Sequence, residues 1–193
     1  METNTILEIV GTILNLAFLI LVIRENIWCW LFGILGSLVS IYLFIETKLY
    51  SESILYSYYV IMGVYGWRKW SANSGKRPLQ VSETSLYVHS GWIVFSIAVS
   101  ISLGWLFSNY TDANNPYFDA FTTVFAFLAT YFEAIKLRSA WLYWIAINGL
   151  SVWLYMQRGL EIYSVLMLIY FILSFVGLLK WQKSYAKSKM ELL

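Results

Sequence analysis

Cysteine and histidine each occur once among the 193 residues, as Cys29 and His89. One thiol excludes an internal disulfide and a cysteine-rich metal site, and one imidazole leaves little for histidine-based catalysis or metal binding. Neither has a Ser, Asp or Glu partner at a readable spacing, so no enzyme and no cofactor are expected. Charge is scarce too: Asp, Glu, Lys and Arg make up 12% of the chain, against about 25% in soluble domains. Proline is confined to Pro78 and Pro116. A G-x-x-x-x-G-K-[ST] phosphate loop is missing, because Gly75-Lys76 lacks the first glycine and runs on into Arg77. An ATP-driven pump is therefore poorly supported.

What fills the space is apolar. Sixty per cent of the residues are hydrophobic and the mean hydropathy is +0.64, which describes an integral membrane protein. Long uncharged runs, rather than alternation every second residue, say all-α and not a barrel. Seven transmembrane spans are expected: Ile6–Ile23, Trp28–Ile45, Ser53–Trp67, Leu86–Phe107, Tyr117–Ala134, Ala140–Met156 and Ile162–Leu179. The opening Met1-Glu-Thr-Asn-Thr lacks the basic region of a cleaved signal peptide, so the first span is expected to persist. Ten Trp and fifteen Tyr exceed the needs of two interfacial belts, so some should line an interior.

Seven crossings put the termini on opposite sides. One side carries Arg24, Arg68, Lys69, Lys76, Arg77, Lys136, Arg138, Lys180, Lys183, Lys187 and Lys189, and the other only Lys48 and Arg158. The positive-inside rule then sets the N-terminus outside and the C-terminus in the cytoplasm. Two polar breaks, Ser71–Ser85 inside and Ser108–Pro116 outside, isolate the fourth span. The second contains an Asn109-Tyr-Thr111 sequon, which carries meaning only in a glycosylating host.

Shifted by 111 positions, the chain aligns with itself without gaps: Trp30–Trp70 against Trp141–Trp181 gives 13 identities in 41 positions. Shared Leu and Ile mean little in a membrane protein. The pairs Trp30/Trp141, Tyr59/Tyr170, Gly66/Gly177, Lys69/Lys180 and Trp70/Trp181 are harder to obtain by chance. Glu8 with Asp119 and Thr12 with Thr123 carry the match back into the first span. The expected organisation is a three-helix repeat over 1–70, a linker helix with its loops over 71–115, a second three-helix repeat over 116–181, and a cytoplasmic tail over 182–193. An odd unit and an odd linker make the two repeats parallel, related by an axis along the membrane normal; such repeats occur in transporters with the solute site between them. Packing alone would also retain the repeat, and in Tyr59-x3-Gly63-x2-Gly66-x3-Trp70 and its counterpart Tyr170-x3-Ser174-x2-Gly177-x3-Trp181 it accounts best for the glycines and Ser174, whereas Tyr56 and Tyr59 can look inward.

Polar residues at the middle of the spans are few: Asn15, Ser37, Tyr59, Thr123 and Asn148. An amide left unbonded in lipid costs several kcal/mol, so Asn148 must face protein, water or a ligand. At about 100° per residue, Trp141, Trp144 and Asn148 share one helix face, two indoles beside a carboxamide. That arrangement suits a flat, polar-edged solute; a packed aromatic helix with one bonded Asn is the plain alternative. Each of the five polar residues is by itself more simply a bonded structural group, and their common depth favours a shared site. Glu8, Asp119 and Glu133 lie near helix ends and none lies at mid-depth, where a proton relay is normally found. A facilitator letting its solute run downhill fits better than a coupled pump.

With these motifs the chain resembles the PnuC-type bacterial vitamin transporters, from Asn26-Ile-Trp28-Cys-Trp30 through Tyr65-Gly66-Trp67 to Trp181. Trp141-x2-Trp144-x3-Asn148 resembles that family's binding motif. The resemblance implies a three-plus-one-plus-three, SWEET-like fold in a bacterial plasma (inner) membrane. It also implies facilitated diffusion of nicotinamide riboside, trapped by a cytoplasmic kinase. Under it, Trp141 and Trp144 stack on the solute ring and Asn148 bonds its amide or ribose. Tyr56 and Tyr59 complete the cage and Asn15 lies opposite; Thr123, from its depth in the span, and Tyr170, as the repeat equivalent of Tyr59, are added to the substrate-binding set. Thiamine or another ring vitamin is the alternative solute, and a non-transporting membrane scaffold or sensor the alternative of a different class. The partners expected are the vitamin and the bilayer, with a homotrimer suggested by the family; no metal and no nucleic acid are expected.

Overall fold

The computed structural model describes residues 2–46, 50–71, 79–111, 115–157, 159 and 161–190. Among them lie seven helices: α1 (Glu2–Ile23), α2 (Cys29–Glu46), α3 (Tyr50–Ser71), α4 (Leu86–Tyr110), α5 (Pro116–Ala134), α6 (Ala140–Gln157) and α7 (Glu161–Met190). Each corresponds to one expected span. The largest difference is at α7, which runs eleven residues past Leu179 into sequence rich in lysine. A helix needs apolar residues to sit in lipid but not to form, so loss of hydropathy marks the edge of a membrane rather than the end of a helix. Lys48, Lys76, Arg77, Pro78 and Arg158, and the Leu49/Leu160 match, lie outside the described residues.

Local chemistry explains the ends. Ser85 caps α4, its hydroxyl accepting from Val88 N, and Pro116 opens α5 where a missing N–H costs nothing. α1 ends with Asn26 N bonded to Leu21 O (3.0 Å), and α5 with Leu137 N bonded to Phe132 O (2.8 Å). These are six-to-one closures that require a left-handed residue just before the last donor. Glu25 and Lys136 fill that position, each at φ 55°. Glycine is the usual choice there, and a side chain costs about 1 kcal/mol or more. Helix ends Ile23 and Ala134, helix starts Cys29 and Ala140, and helix starts Tyr50 and Glu161 are all separated by 111 positions.

Among the described residues, four stretches are long and apolar enough to cross a membrane: Thr5–Ile23, Cys29–Glu46, Leu86–Tyr110 and Tyr163–Met190. Ser, Thr, Tyr and Trp dilute α3, α5 and α6. The surface of the molecule is apolar, with Ile6, Ile13, Ile54, Val94 and Leu179 well exposed, while Ser37, Ser40, Asn148, Ser151 and Ser174 are buried. Small and polar residues at helix contacts with aliphatic side chains outside are what a lipid solvent selects.

The described residues fall into two compact units. The first holds α1, α2 and α3 with Ala134–Lys136 and the end of α7 from Lys180; α1 packs on α2, and α2 on α3. Trp30 is fully buried with its ring laid on Gly66, where any Cβ would collide with the indole. At the far end of α3, Trp70 Nε1 donates to Ala134 O (3.0 Å) and Trp181 Nε1 to Val22 O (3.1 Å), which satisfies carbonyls at two helix ends. The two indoles lie 6.4 Å apart. Lys136 Nζ sits 3.0 Å from Glu25 Oε2 and 4.3 Å above the Trp70 ring.

The second unit holds α4, α5, α6 and α7 as far as Leu179. Before α4, Arg138 N donates to Ser82 O (3.0 Å) and the Arg138 guanidinium pairs with Glu83. The Tyr117 ring lies on Gly104 and so brings α5 against α4. An aromatic cluster of Trp92, Phe132 and Tyr143 links α4, α5 and α6, with His89 Nδ1 3.0 Å from the Tyr143 hydroxyl.

Candidate functional site

The second unit carries the Trp141–Trp144–Asn148 face, and its three members have different surroundings. Trp141 is fully buried, its ring over Gly177 of α7 as Trp30 lies over Gly66; a Cβ at Gly177 would meet that ring at 2.5 Å. In this conformation the Trp141 indole has no accessible face. Its close contact fixes α6 on α7 and so sets the angle at which the residues one and two turns later leave the helix. Trp144 is half-buried, and its indole N–H donates to the Glu133 carboxyl group. Asn148 is buried; its Nδ2 donates to Ser174 Oγ (3.1 Å), which in turn donates to Tyr170 O (2.8 Å). A carboxamide in apolar surroundings is thereby tied to α7, and Asn148 meets Tyr170 through the Tyr170 main chain. Thr123, on α5, and the Tyr170 side chain are half-buried.

Three expected residues lie in the first unit. Tyr56 and Tyr59 are half-buried neighbours on α3 with ring centroids 5.4 Å apart, and Phe44 of α2 extends the group at 5.2 Å from Tyr56. Asn15 of α1 is half-buried with its carboxamide against Gly36 of α2; a Cβ there would lie 2.6 Å from Oδ1. The structure thus brings Tyr56 beside Tyr59, and links Asn148 to the Tyr170 carbonyl only through the Ser174 hydroxyl.

Sequence reasoning missed two members of this neighbourhood. Ser174 read as a small packing residue, yet it is the partner that holds Asn148. Glu133 read as a helix-end carboxylate, yet it is 1% exposed and grips Trp144. The 111-position offset contained the signal for both. Opposite Glu133, Trp144, Asn148 and Ser174 stand Val22, Gly33, Ser37 and Gly63. The second copy is polar or aromatic where the first is apolar or small. Among the described residues no group of three His, Cys, Asp or Glu side chains is placed to hold a metal ion. An apolar groove of about 340 Å³ on α4, lined by Val88, Gly91, Trp92 and Phe95, includes none of the expected site residues.

Residues 5–183 match the family model for the nicotinamide mononucleotide transporter. The chain is 25% identical to the nicotinamide riboside transporter PnuC of Escherichia coli (strain K12), over 89% of this chain and 82% of that one. It is also 25% identical to the riboflavin/roseoflavin transporter RibM of Streptomyces davaonensis, over 90% and 83% respectively. Its fold is similar to the crystal structure of the vitamin B3 transporter PnuC, with a TM-score of 0.74 and 21% identity over 94% of this chain and 82% of that one.

Proposed function

Since the chain belongs to the nicotinamide mononucleotide transporter family, we propose that it carries nicotinamide riboside or a closely related ring vitamin across a bacterial inner membrane by facilitated diffusion. The observation that carries this reading is the one-sided chemistry of the repeat. Trp144, Asn148, Ser174 and Glu133 replace Gly33, Ser37, Gly63 and Val22, so the second copy alone acquires a ring, a bonded amide and a buried acid. A duplicated scaffold has no need of such a bias, whereas a site for an unsymmetrical solute does.

In this reading a solute ring stacks on Trp144, a contact worth about 1–3 kcal/mol per base in nucleic-acid proteins. A cationic pyridinium adds about 0.5–2 kcal/mol over an indole. Asn148 bonds the polar edge of the ring, Trp141 backs the site, and Tyr56, Tyr59, Asn15, Thr123 and Tyr170 contribute the rest of the lining. One three-helix bundle would rock on the other to open the site to each side of the membrane in turn. Glu25 pairs with Lys136, and Trp70 lies beside Trp181, where α1, α3 and α5 end. The basic residues support a cytoplasmic location for this end of the molecule, and phosphorylation by a cytoplasmic kinase would keep the solute in.

The test is uptake by purified protein in liposomes with radiolabelled nicotinamide riboside, thiamine and riboflavin. Saturable uptake of nicotinamide riboside down its gradient, without ATP or an ion gradient, is expected. Riboflavin as the preferred solute would assign the chain to the RibM-like reading. No uptake of any of the three would leave a scaffold or sensor and end the transport reading.

A further inference from the structure

The Glu133 carboxyl group has no counterpart in the packing logic of the fold. It is 1% exposed on the last turn of α5, one oxygen accepts from the Trp144 indole N–H, and Oε2 has no hydrogen-bond partner among the described residues. A buried polar atom without a partner is costly, and a native protein that keeps one does so for a reason. The scaffold does not supply that reason. At the equivalent place on α1 stands Val22, also fully buried, and that helix ends in the same six-to-one closure. An aliphatic side chain therefore satisfies this position in the fold.

Resting on the transport reading above, we propose that Glu133 belongs to the solute site. One oxygen holds the Trp144 ring in place, and Oε2 accepts a hydrogen bond from a hydroxyl group carried by the solute. The geometry of the indole selects the hydroxyl. Nε1 lies at the ring edge, so an acid bonded to it lies beside the ring rather than above it. A flat ring stacked on Trp144 puts its own substituents, not its face, within reach of that acid. A ring vitamin bearing a polyhydroxylated chain offers such a donor; a bare heterocycle does not. Glu133 would then be a specificity residue, distinguishing the glycosylated or ribitylated vitamin from its free base.

Glu133→Val gives α5 the residue that α1 already carries. The melting temperature of the solute-free protein should be unchanged or higher, because an unsatisfied buried acid has been removed. Affinity for nicotinamide riboside, measured by calorimetry or ligand-shifted melting, should fall roughly 10–100-fold, the worth of one strong hydrogen bond and a loosened indole. Glu133→Gln, a smaller change, should lose affinity by at least about fivefold. An affinity within twofold of wild type for either variant overturns the proposal. So does a Glu133→Val protein that melts lower or fails to fold, since the acid would then be structural. Wild-type protein that binds no ring vitamin ends the transport reading and this proposal together, whereas wild-type binding that the variants retain ends this proposal alone.

Discussion

Neutralising Glu25 is the sharpest structural perturbation available, because the acid is paired inside the cluster that joins two helix ends. Its Oε2 lies 3.0 Å from Lys136 Nζ, with the two side chains 22% and 9% exposed. At an effective dielectric of 20 the gross attraction is about 5–6 kcal/mol, most of it offset by the desolvation of both groups. Removing one partner of a largely buried pair costs about 3–5 kcal/mol when the other is stranded. Here Lys136 keeps the Trp70 ring at 4.3 Å, so Glu25→Gln should cost nearer 2–3 kcal/mol. For a chain of this size that is a drop of roughly 4–12 °C in melting temperature. Lys136→Met should cost less, about 1–2 kcal/mol, since Glu25 is exposed enough to reach water and the methionine still covers Trp70. The double variant should be no worse than Lys136→Met, giving a coupling energy of about 2 kcal/mol in a double-mutant cycle. A buried pair also resists salt. A coupling below about 0.5 kcal/mol, or one abolished by high salt, would show a solvent-screened contact and refute the reasoning.

Three further outcomes follow from packing and bonding. Trp141→Ala should destabilise by about 3–5 kcal/mol, and Gly177→Ala by about 1–3 kcal/mol because its Cβ would meet the ring, both read by thermal melting. Asn148→Ala leaves Ser174 its bond to Tyr170 O, so stability should fall by only about 1 kcal/mol while uptake falls at least tenfold. Cys29 is buried against solvent, so a membrane-permeant maleimide should label it only after denaturation; rapid labelling of folded protein would contradict its position.

Much of the architecture was legible. Uncharged runs located all seven helices, and the 111-position offset anticipated that α2 and α6, and α3 and α7, begin in register. The end of α7 was not legible, because lysines end a hydrophobic pattern without ending a helix. The site was legible only in part. Trp141 is read from the sequence as a ring offered to a solute, and the structure adds a packing role, since the pairings Trp30–Gly66 and Trp141–Gly177 recur 111 positions apart. Trp144 and Asn148 lack such counterparts, and they are the pair tied to Glu133 and Ser174. Under the proposed function, residues shared between the copies belong to the scaffold and residues that differ to the solute site. Glu133 escaped notice because a lone acid near a helix end is ordinarily wet; only its equivalence to Val22 hinted that this one is dry.

The most direct measurement sets the two copies against each other. In liposomes loaded side by side, initial uptake of labelled nicotinamide riboside should fall at least tenfold with Trp144→Ala and with Asn148→Ala. It should be unchanged with Ser37→Ala, the same position in the first copy. Equal effects at positions 37 and 148, or none at 144 and 148, would contradict a solute site built on the second copy.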